Sequence, residues 1–275
     1  MYDLIDLREE NLEIKESITG TPGCYIKLKK RVNGVNHYVK FSDYHIINGF
    51  VGYESVCEVI VARLGKILGL DVLEQKLIKT IVTVNDREYI TFACDSKSYK
   101  KNSEVRVSGE DFYYMYKSPG ENPDKVFRKA GFSDFINTIY VFDYLIINRD
   151  RHAKNIEFLF KNGKIRSAPL FDNGYSLLAW VVKSDIPINT VKNILNNTNS
   201  LGNFTGNNFL GSRVLEDNLR LVSKPVVVNK LQQSDKRRLF YNMSEVIPDY
   251  YKNKIWDVIY TRYLYLKKRG VLVEK

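Results

Sequence analysis

The sequence predicts an α+β chain of two lobes, β-rich over residues 1–94 and mainly helical over residues 95–275. Three observations predict it. Apolar residues alternate at period two around turn dipeptides in the first third. They recur at helical spacing in the later segments. A polar, mixed-charge stretch at residues 148–155 interrupts the helical part next to strand-like runs. With 275 residues, 44% hydrophobic and 27% charged, the chain has the composition of a globular protein large enough for one big domain or two small lobes.

The elements follow in order. Residues 24–30 and 36–41 read as strands joined around Asn33-Gly34, a hairpin dipeptide. A helix over about 52–68 is ended by Gly69 in the C′ position. Two more β-rich runs, 74–84 and 88–92, flank a turn at Asn85-Asp86. Residues 109–117 form a short helix and 118–123 a Pro- and Gly-containing loop. Ser133 is placed as the cap of a helix running to about Ile147, apolar on most sides and therefore central. Short strands at 156–160 and 164–168 surround Asn162-Gly163. Residues 184–211, rich in Asn, Gly, Ser and Thr, read as a long loop with at most a short helix at 190–195, and a helix over about 249–268 closes the chain.

Composition excludes several classes. No apolar run approaches the ~18 residues of a membrane span, and the acidic start Tyr2-Asp3-Leu4-Ile5-Asp6 does not read as a signal peptide. Cys24, Cys57 and Cys94 are too few and too scattered for a disulfide framework or a zinc site. A cytoplasmic protein is expected. The net charge of +10, from 42 Lys+Arg against 32 Asp+Glu, suits anionic partners, but the cations are spread along the chain as on ordinary solvated faces.

Four segments carry candidate chemistry. Asp150 and Asn155, five apart in a loop after an apolar helix, match the spacing of a kinase catalytic loop, in which a carboxylate orients the attacking hydroxyl and an amide oxygen holds magnesium. A surface loop with an incidental ion pair has the same spacing. In Pro169-Leu170-Phe171-Asp172-Asn173-Gly174, Asp172 is placed like a metal-binding aspartate, while Asp-Asn-Gly also suits a plain type I turn. Lys40 is a lysine inside a strand, which calls for a partner or a ligand. Glu54 and Glu58, one turn apart on the next helix, are the candidate partners. Finally, Gly20 and Gly23 lie in a hydroxyl-rich segment, 17–23, whose amides can approach phosphates. A phosphate-binding P-loop and a Gly-x-Ser-x-Gly elbow are both absent, and three histidines are too few for a His-rich metal site.

Together and in this order the segments resemble the HipA family of bacterial Ser/Thr kinases, known from toxin–antitoxin modules. The family's Asp-[Arg/Gly]-His-Ala-Lys-Asn pattern stands complete as Asp150-Arg151-His152-Ala153-Lys154-Asn155. Its Pro-x-[Tyr/Phe]-Asp resembles Pro169-Leu170-Phe171-Asp172, its strand ending in a phosphate-binding lysine resembles Tyr38-Val39-Lys40-Phe41, and its Glu-x10-Gly-Leu fits Glu58 with Gly69-Leu70, favouring Glu58 over Glu54. The resemblance runs from about Ser17 to the last helix. Longer members carry an extra N-terminal subdomain with no counterpart in this match, and the family's Gly-x-Gln-x-Lys is replaced here by Gly20-Thr21-Pro22-Gly23-Cys24.

The resemblance implies a two-lobed protein-kinase-like fold, ATP and Mg²⁺ as cofactors, and protein substrates, which in some members are aminoacyl-tRNA synthetases. It implies Asp150 as the catalytic base, Lys40 and Glu58 as a catalytic pair, and Asn155 and Asp172 as metal ligands. Nucleotide contacts would come from Lys40, Gly20, Gly23, Lys154 and a hinge placed at Phe92-Ala93-Cys94-Asp95. An antitoxin partner is implied, as is inactivating autophosphorylation at Ser17 or Thr19. A kinase-like phosphotransferase acting on a lipid or small molecule is the alternative enzyme. A non-catalytic nucleic-acid-binding module would use the +10 charge and the 19 tyrosines and 14 phenylalanines, but no nucleic-acid-binding motif accompanies them, and direct nucleic-acid binding is not expected.

Overall fold

The computed structural model describes residues 2–16, 24–177, 179, 189–190, 193 and 204–275. The strands are β1 (Leu4–Asp6), β2 (Glu13–Glu16), β3 (Cys24–Val32), β4 (Val35–Phe41), β5 (Tyr44–His45), β6 (Gly49–Phe50), β7 (Lys76–Val84), β8 (Arg87–Lys97), β9 (Val105–Ser108), β10 (Asp150–Arg151), β11 (Glu157–Lys161), β12 (Lys164–Ser167), β13 (Asn207–Asn208), β14 (Val226–Val228) and β15 (Leu272–Glu274). The α-helices are α1 (Glu54–Leu68), α2 (Gly109–Tyr116), α3 (Pro123–Lys129), α4 (Ser133–Ile146), α5 (Leu215–Asn218), α6 (Asp235–Leu239) and α7 (Asp249–Lys268).

An eight-stranded sheet runs in the order β1-β7-β8-β4-β3-β5-β6, with β2 paired to β3. Its two long hairpins form where the turn dipeptides placed them. Asn33 and Gly34 have φ of 49° and 80°, and Asn85 and Asp86 have 50° and 58°, the paired positive values of a type I′ turn, whose twist matches that of the strands. Asn162 and Gly163 do the same for β11 and β12, and β9 joins that pair to make a three-stranded sheet.

Among the described residues, two apolar clusters form the core. One, containing Leu28, Val39, Phe41, Val82 and Ala93, lies on one face of the large sheet. The other spans the opposite face (Leu77, Cys94), α1, α4 and α7. Helix α1 is therefore covered on two sides, and Glu58 is only 3% exposed. The helix ends in a Schellman turn: Leu70 N–H donates to Gly65 O at 2.9 Å, Gly69 N–H to Lys66 O at 3.3 Å, and Gly69 sits at φ 73°.

One capping expectation is corrected. Ser133 is the first helical residue of α4, and Phe132 holds the cap position without a side-chain hydrogen bond. Helix α3 ends only three residues earlier, and Gly131, at φ 91°, turns the chain so tightly that α4 begins with no residue to spare. Helix α4 ends at Ile147, a β-branched residue held at φ 53°, a conformation that persists only where its surroundings impose it.

Candidate active site

Strand alternation sends Val39 and Phe41 into one apolar cluster and Lys40 to the other face of the sheet, toward α1. On the adjacent strand Ala93 and Cys94 alternate in the same way, and Cys94 is the cross-strand partner of Lys40. Burial pushes the Cys94 thiol well above its usual range, and the neighbouring Glu58 carboxylate pushes it further, so Cys94 is a neutral thiol.

The Lys40 ammonium bridges two carboxylates. It lies 3.2 Å from Glu58 Oε1 and 2.8 Å from Asp172 Oδ1. Burial alone lowers a lysine, but the Asp172 and Glu58 charges outweigh it and hold Lys40 firmly protonated. At Asp172, burial raises the carboxyl, and the Lys40 ammonium reverses this and brings it down to about 2. Glu54 acts elsewhere. Its Oε2 accepts the N–H of Asp43 at 3.3 Å, closing the entry to α1.

Asp172 itself is held at φ 55°. The tethers that impose this lie on both sides of it. Phe171 O accepts from Arg151 Nη1 at 3.0 Å, Asn173 N–H donates to Glu58 Oε2 at 3.1 Å, and Asn173 Oδ1 accepts from Arg151 Nη2 at 2.7 Å. Just upstream, Leu170 N–H donates to Asp71 O and Leu73 N–H to Leu170 O, so the segment after α1 and the Asp172 loop are stitched together.

Arg151 is the hub of the region. It is 1% exposed, and its guanidinium also takes Asp143 through Nε (3.0 Å) and Nη2 (2.8 Å) and Asn155 O through Nη1 (3.0 Å). Asp143, at the end of α4, further accepts from Asn148 Nδ2 at 3.0 Å, and Asn148 Oδ1 accepts Asp150 N–H at 3.1 Å. This buried network carries the chain through the left-handed Ile147 into the 148–155 loop. Asp150 and Asn155 are joined by Asn155 Nδ2 donating to Asp150 O at 2.8 Å. The Asp150 carboxyl is raised by burial, with the neighbouring His152 lowering it and Asp172 raising it. His152 Nε2 is 3.7 Å from Asp150 Oδ2, and its Nδ1 accepts Lys154 N–H.

A cleft of ≈ 220 Å³ opens beside this cluster, lined by Lys27, Leu28, Tyr38, Leu73, Phe171 and Asp172 among others. Tyr99 stacks on Phe171 at its edge, with ring centroids 5.6 Å apart.

No family model and no curated protein matches the sequence. Solved structures do. The proinflammatory kinase CtkA of Helicobacter pylori superimposes with a TM-score of 0.56 at 18% identity over 95% of each chain. The chain has the fold of that kinase. It is the α+β, kinase-like fold that the motifs implied. HipA of Shewanella oneidensis, solved with HipB and operator DNA, aligns less closely: TM-score 0.46, 16% identity, 94% of this chain and 67% of that one. The Golgi casein kinase aligns at 0.41 and 13%, over 96% of this chain and 75% of that one.

Within this kinase-like fold the candidate residues fall into three groups. Lys40, Glu58 and Asp172 meet directly, and Asp150 and Asn155 share the adjoining loop. Phe92-Ala93-Cys94-Asp95, expected at the hinge, lies inside β8, with Ala93 and Cys94 fully buried and the Asp95 carboxylate bound to His37 Nδ1 at 2.9 Å. The residues that line the cleft come just after them: Ser96, Lys97 and Tyr99. Lys154 is exposed and is not among the cleft-lining residues. Ser17, Thr19, Gly20 and Gly23 lie outside the described residues, as does most of the 184–211 loop. Arg151, Asp143 and Asn173 are site residues that no sequence pattern singles out. Arg151 was visible inside the matched motif, but its role depends on an aspartate from α4 that no local pattern links to it.

Proposed function

We propose that the chain is an ATP- and Mg²⁺-dependent kinase that phosphorylates Ser or Thr hydroxyls of proteins. The observation that carries this reading is the bridge of Lys40 between Glu58 and Asp172 beside the cleft, on a fold shared with a known kinase. A fixed ammonium next to a kept-ionised carboxylate is what a polyphosphate with a hard cation requires. Asn155 fits the same set. Its Nδ2 is committed to Asp150 O, which leaves Oδ1 as the atom to face a cation. Among the described residues no group of three or more His, Cys, Asp or Glu is arranged to hold a metal. Magnesium is usually bound by one or two protein oxygens together with substrate phosphates and water, and Asn155 Oδ1 and Asp172 would supply those oxygens here.

When bound, Mg-ATP supplies the electrophilic phosphoryl group whose charge the metal offsets. The chain's own groups do the rest. Glu58 holds Lys40, Lys40 binds phosphate oxygens, and Asn155 and Asp172 hold the metal. Asp150 accepts the substrate hydroxyl proton, and its raised carboxyl range makes it a better proton acceptor than an ordinary aspartate. Residues 1–94 serve the nucleotide phosphates, and residues 95–275 supply the catalytic loop, metal ligands and substrate face. Ser96, Lys97 and Tyr99 act as the hinge, a few residues beyond the segment expected from the sequence.

The finer identity rests on the sequence resemblance: a substrate among translation proteins such as an aminoacyl-tRNA synthetase, an antitoxin partner, a cytoplasmic setting, and self-phosphorylation at Ser17 or Thr19. No described helix is long and apolar enough to cross a membrane. The test is incubation with γ-labelled ATP and a bacterial lysate, with Asp150→Asn as control. Label on Ser or Thr of a discrete protein, absent with Asp150→Asn, is the expected result. Label only on lipids or small molecules would assign the alternative substrate class, and equal labelling by both proteins would end the assignment of Asp150.

A further inference from the structure

A second cavity lies beside the cleft. It measures ≈ 320 Å³ and is lined by nine residues, of which Lys29, Lys100, Lys101 and Arg106 are cations and none is a carboxylate. The other lining groups (Asn36, Tyr38, Ser98, Asn102, Ser103) are also polar. Four like charges around one concavity repel each other, so something must hold them there. The loop over residues 98–104 is pinned at several points. Arg166 grips Glu104 through two hydrogen bonds of 2.8 Å and Tyr99 O through a third of 3.2 Å. Lys161 Nζ donates to Asn102 O at 3.0 Å, Lys101 N–H to Glu104 Oε2 at 2.7 Å, and Ser98 N–H to Asn36 O at 2.9 Å. Within it Ser103 is held at φ 68°, a conformation that costs a non-glycine residue free energy.

Glu104, the carboxylate nearest in sequence to Lys101, is thus consumed by Arg166. Arg106 has one anionic neighbour, Glu157 at 4.0 Å. Lys29 and Lys100 form no ion pair among the described residues. The result is a concave set of exposed cations on a pinned loop, in which Glu157 offsets Arg106 in part while Lys29 and Lys100 have no ion pair among the described residues.

We propose that this cavity binds a compact polyanion of the oligophosphate class, at a site distinct from the nucleotide cleft. A compact ligand is favoured over a polynucleotide because the cations surround one concavity, whereas a nucleic-acid backbone calls for a groove or stripe of cations along its path. Free oligophosphate and the phosphate tail of a nucleotide share the required chemistry. Lys29, Tyr38 and Arg106 line both this cavity and the cleft. An anion held here therefore adds negative charge to a wall of the cleft and lowers its affinity for nucleotide phosphates. That consequence rests on the kinase reading; the site itself does not.

The experiment is calorimetric titration of the full chain with tripolyphosphate at constant ionic strength, repeated with sulfate, with ATP lacking magnesium, and with a short oligothymidylate. The variants are Lys100→Gln/Lys101→Gln, which leaves the cleft intact, and Lys40→Met, which disables it. The site predicts tripolyphosphate binding that Lys100→Gln/Lys101→Gln weakens about tenfold or more, since two charge-assisted contacts are lost, and that Lys40→Met leaves within about twofold. ATP competing for the same lysines would name the nucleotide as the source of the phosphates; no competition would name the free oligophosphate. Three results would overturn the proposal. These are no binding, binding lost with Lys40→Met but not with Lys100→Gln/Lys101→Gln, or sulfate or oligothymidylate binding as tightly as tripolyphosphate. The second would place the anion in the cleft and leave the kinase reading standing. Lysine-dependent binding in a chain that fails to bind Mg-ATP would have the opposite meaning.

Discussion

Arg151 shows how much of this site depends on a single buried side chain. A guanidinium has five N–H donors in a fixed plane, and here it reaches Asp143, Asn155 O, Phe171 O and Asn173 at once. That joins α4, the catalytic-loop candidate and the Asp172 loop in one rigid unit. Removing it leaves the Asp143 carboxylate buried without its partner. Arg151→Met is expected to destabilise the fold by about 3–5 kcal/mol, read by denaturant unfolding. Arg151→Lys, which keeps the charge but loses the planar fork, should recover part of the stability and little of the activity. A Met variant within about 1 kcal/mol of wild type would show that the network is not a stabilising unit, given how costly a broken buried pair normally is. This residue also marks the limit of what the sequence could reveal. Asp150, Asn155, Lys40 and Asp172 stood out as candidates because each belongs to a short local pattern, a loop spacing, a lysine inside a strand or an Asp-Asn-Gly turn. The pairing of Arg151 with Asp143, eight residues earlier on a helix, is set by burial and has no local signature. Glu58 is intermediate: its partner was legible from motif spacing, but its burial came from α1 being covered on two sides.

At the scale of elements, Gly174 governs how closely the Asp172 loop approaches α1. A Cβ there would sit 3.1 Å from Glu54 O and 3.4 Å from Glu58 Cγ. Gly174→Val is expected to push the loop from the helix, strain the Asn173-to-Glu58 hydrogen bond and lower phosphoryl transfer at least about tenfold, because small misplacements cost large factors in rate. Unchanged turnover would mean that the contact is not needed for positioning. The loop over residues 98–104 has a pH signature. The Arg166 hydrogen bond holds the Glu104 carboxyl down at about 2 against an ordinary 4.5. A depressed carboxyl stabilises the fold fully above its unfolded pKa, and this contribution is lost as pH falls through the folded one. Unfolding free energy should therefore decline from about pH 4.5 toward pH 2, and Arg166→Gln should flatten that decline. An identical slope in the variant would show that Glu104 contributes nothing to it. Hairpins and long helices were the elements most legible in advance: a turn dipeptide such as Asn85-Asp86 acts locally, and α7 matches its expected span over 249–268. The missed elements are short. Strands β1, β14 and β15 span three residues each, and α3, α5 and α6 are too brief for a period to show. Their structure comes from partners distant in sequence, as when β1 pairs in parallel with β7.

For the whole molecule, the large sheet and the helical part meet across α1, and the residues with the clearest chemistry lie at that meeting. Lys40 comes from the sheet, Glu58 from α1, Asp150 from β10 and Asp172 from the segment after β12. A cluster drawn from such separate parts of the chain forms only in the complete fold, and its proposed role is to bind a polyphosphate. The most direct test is calorimetric titration of the folded protein with Mg-ATP, comparing wild type with Lys40→Met. Saturable one-to-one binding by the wild type is expected, with an affinity at least about tenfold weaker in Lys40→Met and the variant's circular dichroism unchanged. Absence of Mg-ATP binding by the wild type, or equal affinity in a folded Lys40→Met, would contradict a phosphate-binding role for the Lys40 cluster.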